Sequence, residues 1–381
     1  MKCIALLLSV LLGLSSMAEA TTYLVRPDGT GDFPTIQEAV DATSAGDVIE
    51  LAPGVFAGLG NRGILLDVSD LTIRSQAATP DQCTIDCEGM ARAFAIYAAG
   101  TLLEGFTVTH GYEVQTDGGG VEIRTGSSDI TIVNCAFREN VAIEAGGGAV
   151  SDRSRGATLR QCRFIDNAAD FGGALFAEED DYAPTVEGCE FTGNTGALGS
   201  AVYLFGTTLA AKGGRNGLFR SCLFARNTDE HGGCVALTAL SPTFQSCTFV
   251  HNAGVHGAIL CQYTLEPSSP LISHSIIAFS IGQAAVSCEP ECQPTLECSD
   301  IFGNAGGDWV GCIEGQQDIA GNIAADPLFC DAAGSDFTLE EASFCAPTFN
   351  PDCGLIGAFP VGCGSTPIQR VTCGSAKALF R

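Results

Sequence analysis

The chain runs to 381 residues and carries 18 basic against 44 acidic side chains, a net charge of −26. Such a surface repels nucleic acid and anionic lipid, so no nucleic-acid partner is expected, and a polyanionic sugar would need a local basic patch or a bridging cation. With 46% apolar residues and 47 glycines, the composition allows a continuous core interrupted by turns at short intervals.

Residues 1–20 read as a secretory signal. Lys2 supplies the positive start, Ile4 to Leu14 the apolar stretch, and Ala18-Glu19-Ala20 the small-x-small cleavage site. The apolar stretch is too short to span a bilayer, and no later segment is long enough, so no transmembrane segment is expected. The mature chain is expected to begin at Thr21 and to reside outside the cell or at its surface. Without Cys3, 18 of the 19 cysteines remain, a number that permits full pairing.

Residues 29–56 predict a short helix, then a strand and a turn. Pro34 fits a first helical turn, and Ile36, Ala39 and Val40 fall on one face. Val48 to Leu51 reads as a strand and Pro53-Gly54 as its turn. This passage resembles the start of pectin-lyase-like right-handed parallel β-helices. The resemblance implies that the short helix covers the open end of the coil stack, where unpaired backbone would otherwise invite edge-to-edge association.

A phrase Cys-x-Phe-x-x-Asn then recurs, beginning at Cys135, Cys162, Cys189, Cys222 and Cys247, with steps of 27, 27, 33 and 25 residues. A period in the twenties signals a solenoid whose coils cannot bury an apolar face alone. A second phrase follows each Asn: Gly118-Gly-Gly-Val121, Gly146-Gly-Gly-Ala-Val150, Gly172-Gly-Ala-Leu175, Gly199-Ser-Ala-Val202, Gly232-Gly-Cys-Val235 and Gly257-Ala-Ile259. The alternation resembles the repeats of chlamydial polymorphic outer membrane proteins. Each coil is expected to turn at the Gly pair and to start a strand at Ala-Val or Ala-Leu. A second strand should end three residues before the Cys. Cys and Phe should share the inner side of a third strand, and Asn should turn the next corner in the left-handed region. Stacked coils set like on like, giving files of Phe and Asn.

Toward the ends the phrase blurs. Phe106-Thr-Val108 and His274-Ser-Ile276 stand in for Cys-x-Phe, and Cys298 to Asn304 is one residue longer. A Cys-rich closing segment runs from about 320 to 363, and 364–381 reads as a tail. The expected fold is therefore all-β: a single-stranded right-handed parallel β-helix of nine or ten coils over 21–363, with a short N-terminal capping helix. A monomer is expected. Too little chain follows the solenoid for an autotransporter barrel.

Several constellations bear on chemistry. The five filed cysteines read as buried small hydrophobes, because parallel side chains on successive coils hold their Cβ atoms too far apart for a bridge. Better disulfide candidates are Cys288 with Cys292, Cys330 with Cys345, and Cys353 with Cys363; Cys83 with Cys87 is a further pair. His231 and His256 each lie four residues after a filed Asn, so they stack one coil apart, as a packing site or a metal pair. Glu178 to Asp181 form an acidic run, with Arg153 and Arg155 one coil before and Lys212 and Arg215 in an insertion one coil after. The run reads either as solvated loop charge or as a carboxylate set able to bind Ca²⁺ or to act as acid and base. No cofactor is otherwise implied.

Pectate lyases, polygalacturonases and pectin methylesterases share the implied fold, yet none of their carboxylate, Arg and His groupings is matched. The function expected is a non-enzymatic, adhesin-like module that binds a polysaccharide or a protein. The alternatives are a polysaccharide lyase or glycoside hydrolase using Glu178, Asp180, Asp181 and Arg153 or Arg155, and a structural spacer. An enzyme requires those carboxylates to converge on an Arg or Lys in a groove. A glycan binder requires exposed aromatics along one face, with Tyr112, Tyr182, Tyr203, Tyr263 and Trp309 as candidates.

Overall fold

The computed structural model describes residues 20–179, 183–206 and 217–363. The signal segment up to residue 19, Asp180, Asp181, Tyr182, the Lys212 and Arg215 insertion and the tail 364–381 lie outside the described residues. The chain forms a parallel β-solenoid whose strands fall into sheets of eleven, ten and nine strands, with a fourth sheet of five. Consecutive coils pair in strict register: Ile132, Leu159, Val186, Phe219 and Phe244 face one another on the eleven-stranded sheet, as expected three residues before each Cys. Each sits at the centre of its strand rather than at its end, however, so the strand runs one residue further.

The helix spans Ile36–Ala42 and buries Ile36, Ala39 and Val40. Thr35 caps it, accepting the Glu38 N–H, so Pro34 precedes the cap rather than opening the helix. Asn61 Oδ1 accepts the Ile36 N–H at 3.0 Å, which ties the cap to the next coil.

Inside the coils the two files form. Rings of Phe137, Phe164, Phe191, Phe224 and Phe249 stack in sequence with centroids 4.5–5.2 Å apart and planes within 9° of parallel. The Asn amides form a ladder: each of Asn140, Asn167, Asn194 and Asn227 donates its backbone N–H and its Nδ2 to Oδ1 of the next Asn, all within 3.0 Å. The Asn residues are not in the left-handed region. The residue before each takes it instead: Glu139, Asp166, Gly193, Arg226 and His251 all have φ between 53° and 68°. That bend leaves the amide free to point inward and bond along the axis. The short fourth sheet begins just after these corners, an element the two phrases do not announce.

Cys135, Cys162, Cys189, Cys222 and Cys247 are buried free thiols, and each sits at the bend before its strand, donating Sγ–H toward backbone carbonyls. Cys83 and Cys87 are likewise buried and unbridged.

The later coils keep the spacing but change the letter. Ser275, not His274, takes the Cys place: its Oγ accepts the Cys247 N–H at 3.0 Å, and Ile277 pairs with Phe249. Ser299, not Cys298, follows it, with Ile301 and Asn304 at the regular interval. Cys298 takes φ 47° and leaves the file for a disulfide to Cys353.

The closing segment corrects a simpler picture. Trp309 and Ile313 join the core and cover the end of the stack. The residues after 323 instead fold back as a strap along the outer side of the ten-stranded sheet. Phe337 packs on Leu223, Ala225 and Val250, and Leu339, Cys345 and Ile356 pack on Ile276 and Ala278. The disulfides are Cys288–Cys312, Cys298–Cys353 and Cys330–Cys363. None matches an expected pair, and Cys292 and Cys345 keep buried free thiols. Proximity in sequence favours near neighbours, whereas these bridges join cap to coil, strap to coil and the two ends of the strap.

Candidate functional site

The three large sheets differ in what they turn outward. On the eleven-stranded sheet, Glu187 lies between Arg160 and Arg220 at 3.2 and 3.1 Å, surface pairs that relieve one another across coils. The ten-stranded sheet is covered by the strap over its later coils. The nine-stranded sheet presents two outward files. One, which points outward but is itself buried, holds Glu122, Ser151, Phe176, Tyr203, Ala236 and Leu260, in register coil by coil. The other holds Tyr97, Arg124, Arg153, Glu178, Phe205, Thr238 and Gln262, placed by the same ladders.

The early coils of this face carry charge. Arg153 Nη2 bonds Asp117 at 2.6 Å and Glu178 at 2.7 Å, so two carboxylates meet on one guanidinium, and the Phe176 ring lies 5.9 Å from it. One coil earlier, Glu122 bonds Arg92 and, at 2.8 Å, Arg124, whose guanidinium lies over the Tyr97 ring. Arg92 also reaches Glu113 at 3.0 Å. Burial opposes charge on Glu113, but hydrogen bonds from Arg92 and Thr116 outweigh it and hold its carboxyl below the usual range. Ser151 is fully buried between the Glu122 and Phe176 positions, and its hydroxyl has no hydrogen-bond partner among the described residues.

The middle coils carry rings. Tyr203 contacts Phe171, Phe176 and Phe205 at centroid distances of 5.8–6.0 Å. Phe171 is 42% exposed, and Tyr97 and Tyr263 about half. Tyr203 is nearly buried, its hydroxyl bonds Thr238 at 3.2 Å, and burial raises its phenol. Trp309 is spent on the end cap.

Of the expected acidic and basic set, the fold thus brings Glu178 and Arg153 together. Arg155 is exposed and among the described residues its side chain meets no acid; Asp180 and Asp181 lie outside the description. Asp117, Arg92, Glu122 and Arg124 join the cluster without having been singled out by charge pattern. The signal for Glu122 is positional: Glu122, Ser151, Phe176 and Tyr203 each stand one residue after the last apolar residue of the Gly phrase, hence on the outer side of the sheet.

His231 and His256 fall in adjacent coils, as expected, and both line a cavity of about 350 Å³ at the far end of this face. Among the described residues no group of three or more His, Cys, Asp or Glu side chains gathers to hold a metal ion. Asp229, beside His231, is consumed by the turn: its carboxylate accepts the N–H groups of His231 and Gly232, and burial raises it. A shallower groove of about 250 Å³ runs over Ala142, Ala169 and Gly196 of the five-stranded sheet.

Residues 62–191 match the family model for the right handed beta helix region. Over that stretch the match agrees with the parallel coil described above, so the fold is a right-handed parallel β-helix. No curated protein matches the chain. Among solved structures the fold is similar to the pectate lyase Pel9A (TM-score 0.49, 13% identity, 91% of this chain and 98% of that one). It is also similar to a PL6 alginate lyase in complex with trisaccharide (TM-score 0.48, 13% identity, 85% and 66%) and to a pectin methylesterase from carrot (TM-score 0.39, 14% identity, 86% and 92%). At these scores the likeness carries no argument about the site. No helix among the described residues is long and apolar enough to cross a membrane.

Proposed function

We propose that this β-helix protein is a secreted or surface-exposed binding module that offers the outer face of its nine-stranded sheet to a glycan or a protein. The observation that carries the reading is the change of character along that face, from ion-paired guanidinium groups over aromatic rings to a ring cluster and then to an open cavity. Repeating surface charge keeps a solenoid soluble, whereas a ring cluster whose outer member Phe171 stays exposed over buried Phe176 and Tyr203 serves contact with sugar faces or apolar side chains. A spacer has no use for such a gradient. Three disulfides and the apolar start of the chain accord with an oxidising destination.

One observation favours the enzymatic alternative: Asp117 and Glu178 share the Nη2 of Arg153, so their oxygens lie no further apart than the sum of two hydrogen-bond lengths. A carboxylate pair held that closely suits acid–base work on a glycan as well as it suits simple charge pairing. A panel of polysaccharides scored both for binding and for release of unsaturated or reducing ends separates the readings. Saturable binding without new ends is expected. Release of ends that is abolished in Glu178→Gln would replace the binding module with a lyase or hydrolase.

A further inference from the structure

The cavity that His231 and His256 line is built differently from the rest of the face. Its floor is apolar, formed by Leu198, Leu260 and Val286, and one wall is the Cys288–Cys312 disulfide, which ties the last strand of the sheet to the end cap. Around this floor stand Gln262, Gln283, Ser287 and Glu289 with the two imidazoles. Glu289 is the one acid among the lining residues, and its Oε2 already accepts the Tyr263 N–H at 2.7 Å. Gln262 Oε1 accepts from Thr238, which leaves its amide N–H₂ to point elsewhere. No hydrogen-bond partner is found for the side chains of Gln283, His231 or His256 among the described residues.

These groups share one property. A carboxamide and a neutral imidazole each donate and accept at fixed directions, and a hydroxyl does both. A cavity of about 350 Å³ lies at the lower end of the size range of ligand sites. Its mix of apolar floor and convergent two-way polar groups matches a ring that has hydroxyls on its rim and C–H bonds on its face. Among the described lining residues there is no arginine or lysine, and the chain's charge of −26 opposes anions. The nearby rings extend the apolar floor, since Leu198 pairs in register with Phe171 and packs against the Phe176 and Tyr203 cluster.

We infer that this cavity is a binding subsite for one neutral sugar unit of an oligosaccharide, with the adjoining units running over Phe171 toward the charged coils. The assignment rests on the reading of the face as a ligand surface and fixes where and with what chemistry the ligand is held.

The test is calorimetric titration of the full secreted chain with neutral tetrasaccharides built of glucose, galactose, mannose or N-acetylglucosamine, and with a uronate tetrasaccharide. The variants are His256→Ala/Gln283→Ala together, and Arg153→Ala. Neither histidine nor glutamine side chain supports the fold through a hydrogen bond, so thermal midpoints should match the parent. One neutral sugar should bind, with affinity falling at least about tenfold in the double variant, the factor one good hydrogen bond supplies. Binding unchanged in the double variant but lost in Arg153→Ala would overturn the subsite and leave the binding face standing. A uronate ligand that depends on the two cavity residues would overturn the neutral class. A panel with no neutral binder at all would remove the subsite, and the polysaccharide panel on the parent then decides the broader reading independently.

Discussion

Two regions of the same coils follow opposite rules. Inside coils 135–252, one residue type occupies each of the Phe and Asn positions five times over, and successive copies meet: Phe on Phe, Asn on Asn. On the outer face of the nine-stranded sheet, register is just as strict, yet Glu122, Ser151, Phe176, Tyr203 and Ala236 succeed one another without repetition. Repetition serves a stack that must close on itself with no water inside. The outward file is also largely buried, but it packs from outside the coil and is free of that demand, so its members can differ from coil to coil.

The contrast breaks first at the ladder. Asn194→Ala takes away the acceptor of the Asn167 N–H and of one Nδ2 proton of Asn167, whose other bond to the Phe137 carbonyl remains, and one donor to the Phe164 carbonyl. The expected loss is about 2–6 kcal/mol in chemical denaturation, since each of the two buried donors left open costs roughly 1–3 kcal/mol. Phe191→Ala removes one ring from a continuous stack and should cost about 3–5 kcal/mol by the same measurement. A loss under about 1 kcal/mol for either would mean that the files are not tightly packed.

The strap sharpens the comparison through pH. Asp300 is buried beneath it, accepting the Ala325 N–H at 3.0 Å and the Cys345 thiol at 3.2 Å. Burial pushes its carboxyl up from 3.8 to about 7, with the charges of Asp308 and Asp326 adding to the shift. A carboxyl raised on folding favours the folded strap while protonated. Its contribution is therefore complete below the ordinary carboxylate range and is lost as pH rises through about 7. Stability measured between pH 4 and pH 8 should fall across that window, by an amount of the order of 2–4 kcal/mol, and Asp300→Asn should flatten the profile. An unchanged profile in the variant would place the pH dependence elsewhere.

The outer face should behave in the opposite way to the files. Arg153→Ala removes two surface ion pairs, so stability should change by no more than about 1 kcal/mol, while ligand binding weakens. A large loss of stability would make Arg153 part of the scaffold. Smallest of all is the effect expected at the thiols. Burial raises those of Cys83 and Cys87 to about 11 and about 12, so alkylation of the native chain at pH 8 should spare them. Labelling at the rate of a free thiol would show that the first coils open.

The period of the Cys-Phe-Asn phrase was enough to place the coils, because a stack forces equivalent residues into columns and the columns are visible as repeats. Arg153 and Glu178 were legible for the same reason. What the letters could not show is how the unrepeated parts meet. Cys298 reads as the next member of the Cys file, but Ser299 takes that place and Cys298 turns out to Cys353. Cys345 reads as a partner for Cys330 and instead rests against Asp300. Asp117, far from any acidic run, is delivered to Arg153 by the corner that precedes its Gly phrase.

By itself, then, the sequence determined a coiled stack with dry inner columns and a covered first turn, since periodic burial leaves a periodic record. Only the tertiary structure decided the disulfide partners, the return of the strap along the ten-stranded sheet and the composition of the outward face. Those contacts join segments at unequal separations, and the energy that selects them comes from surfaces that exist only once the coils have stacked.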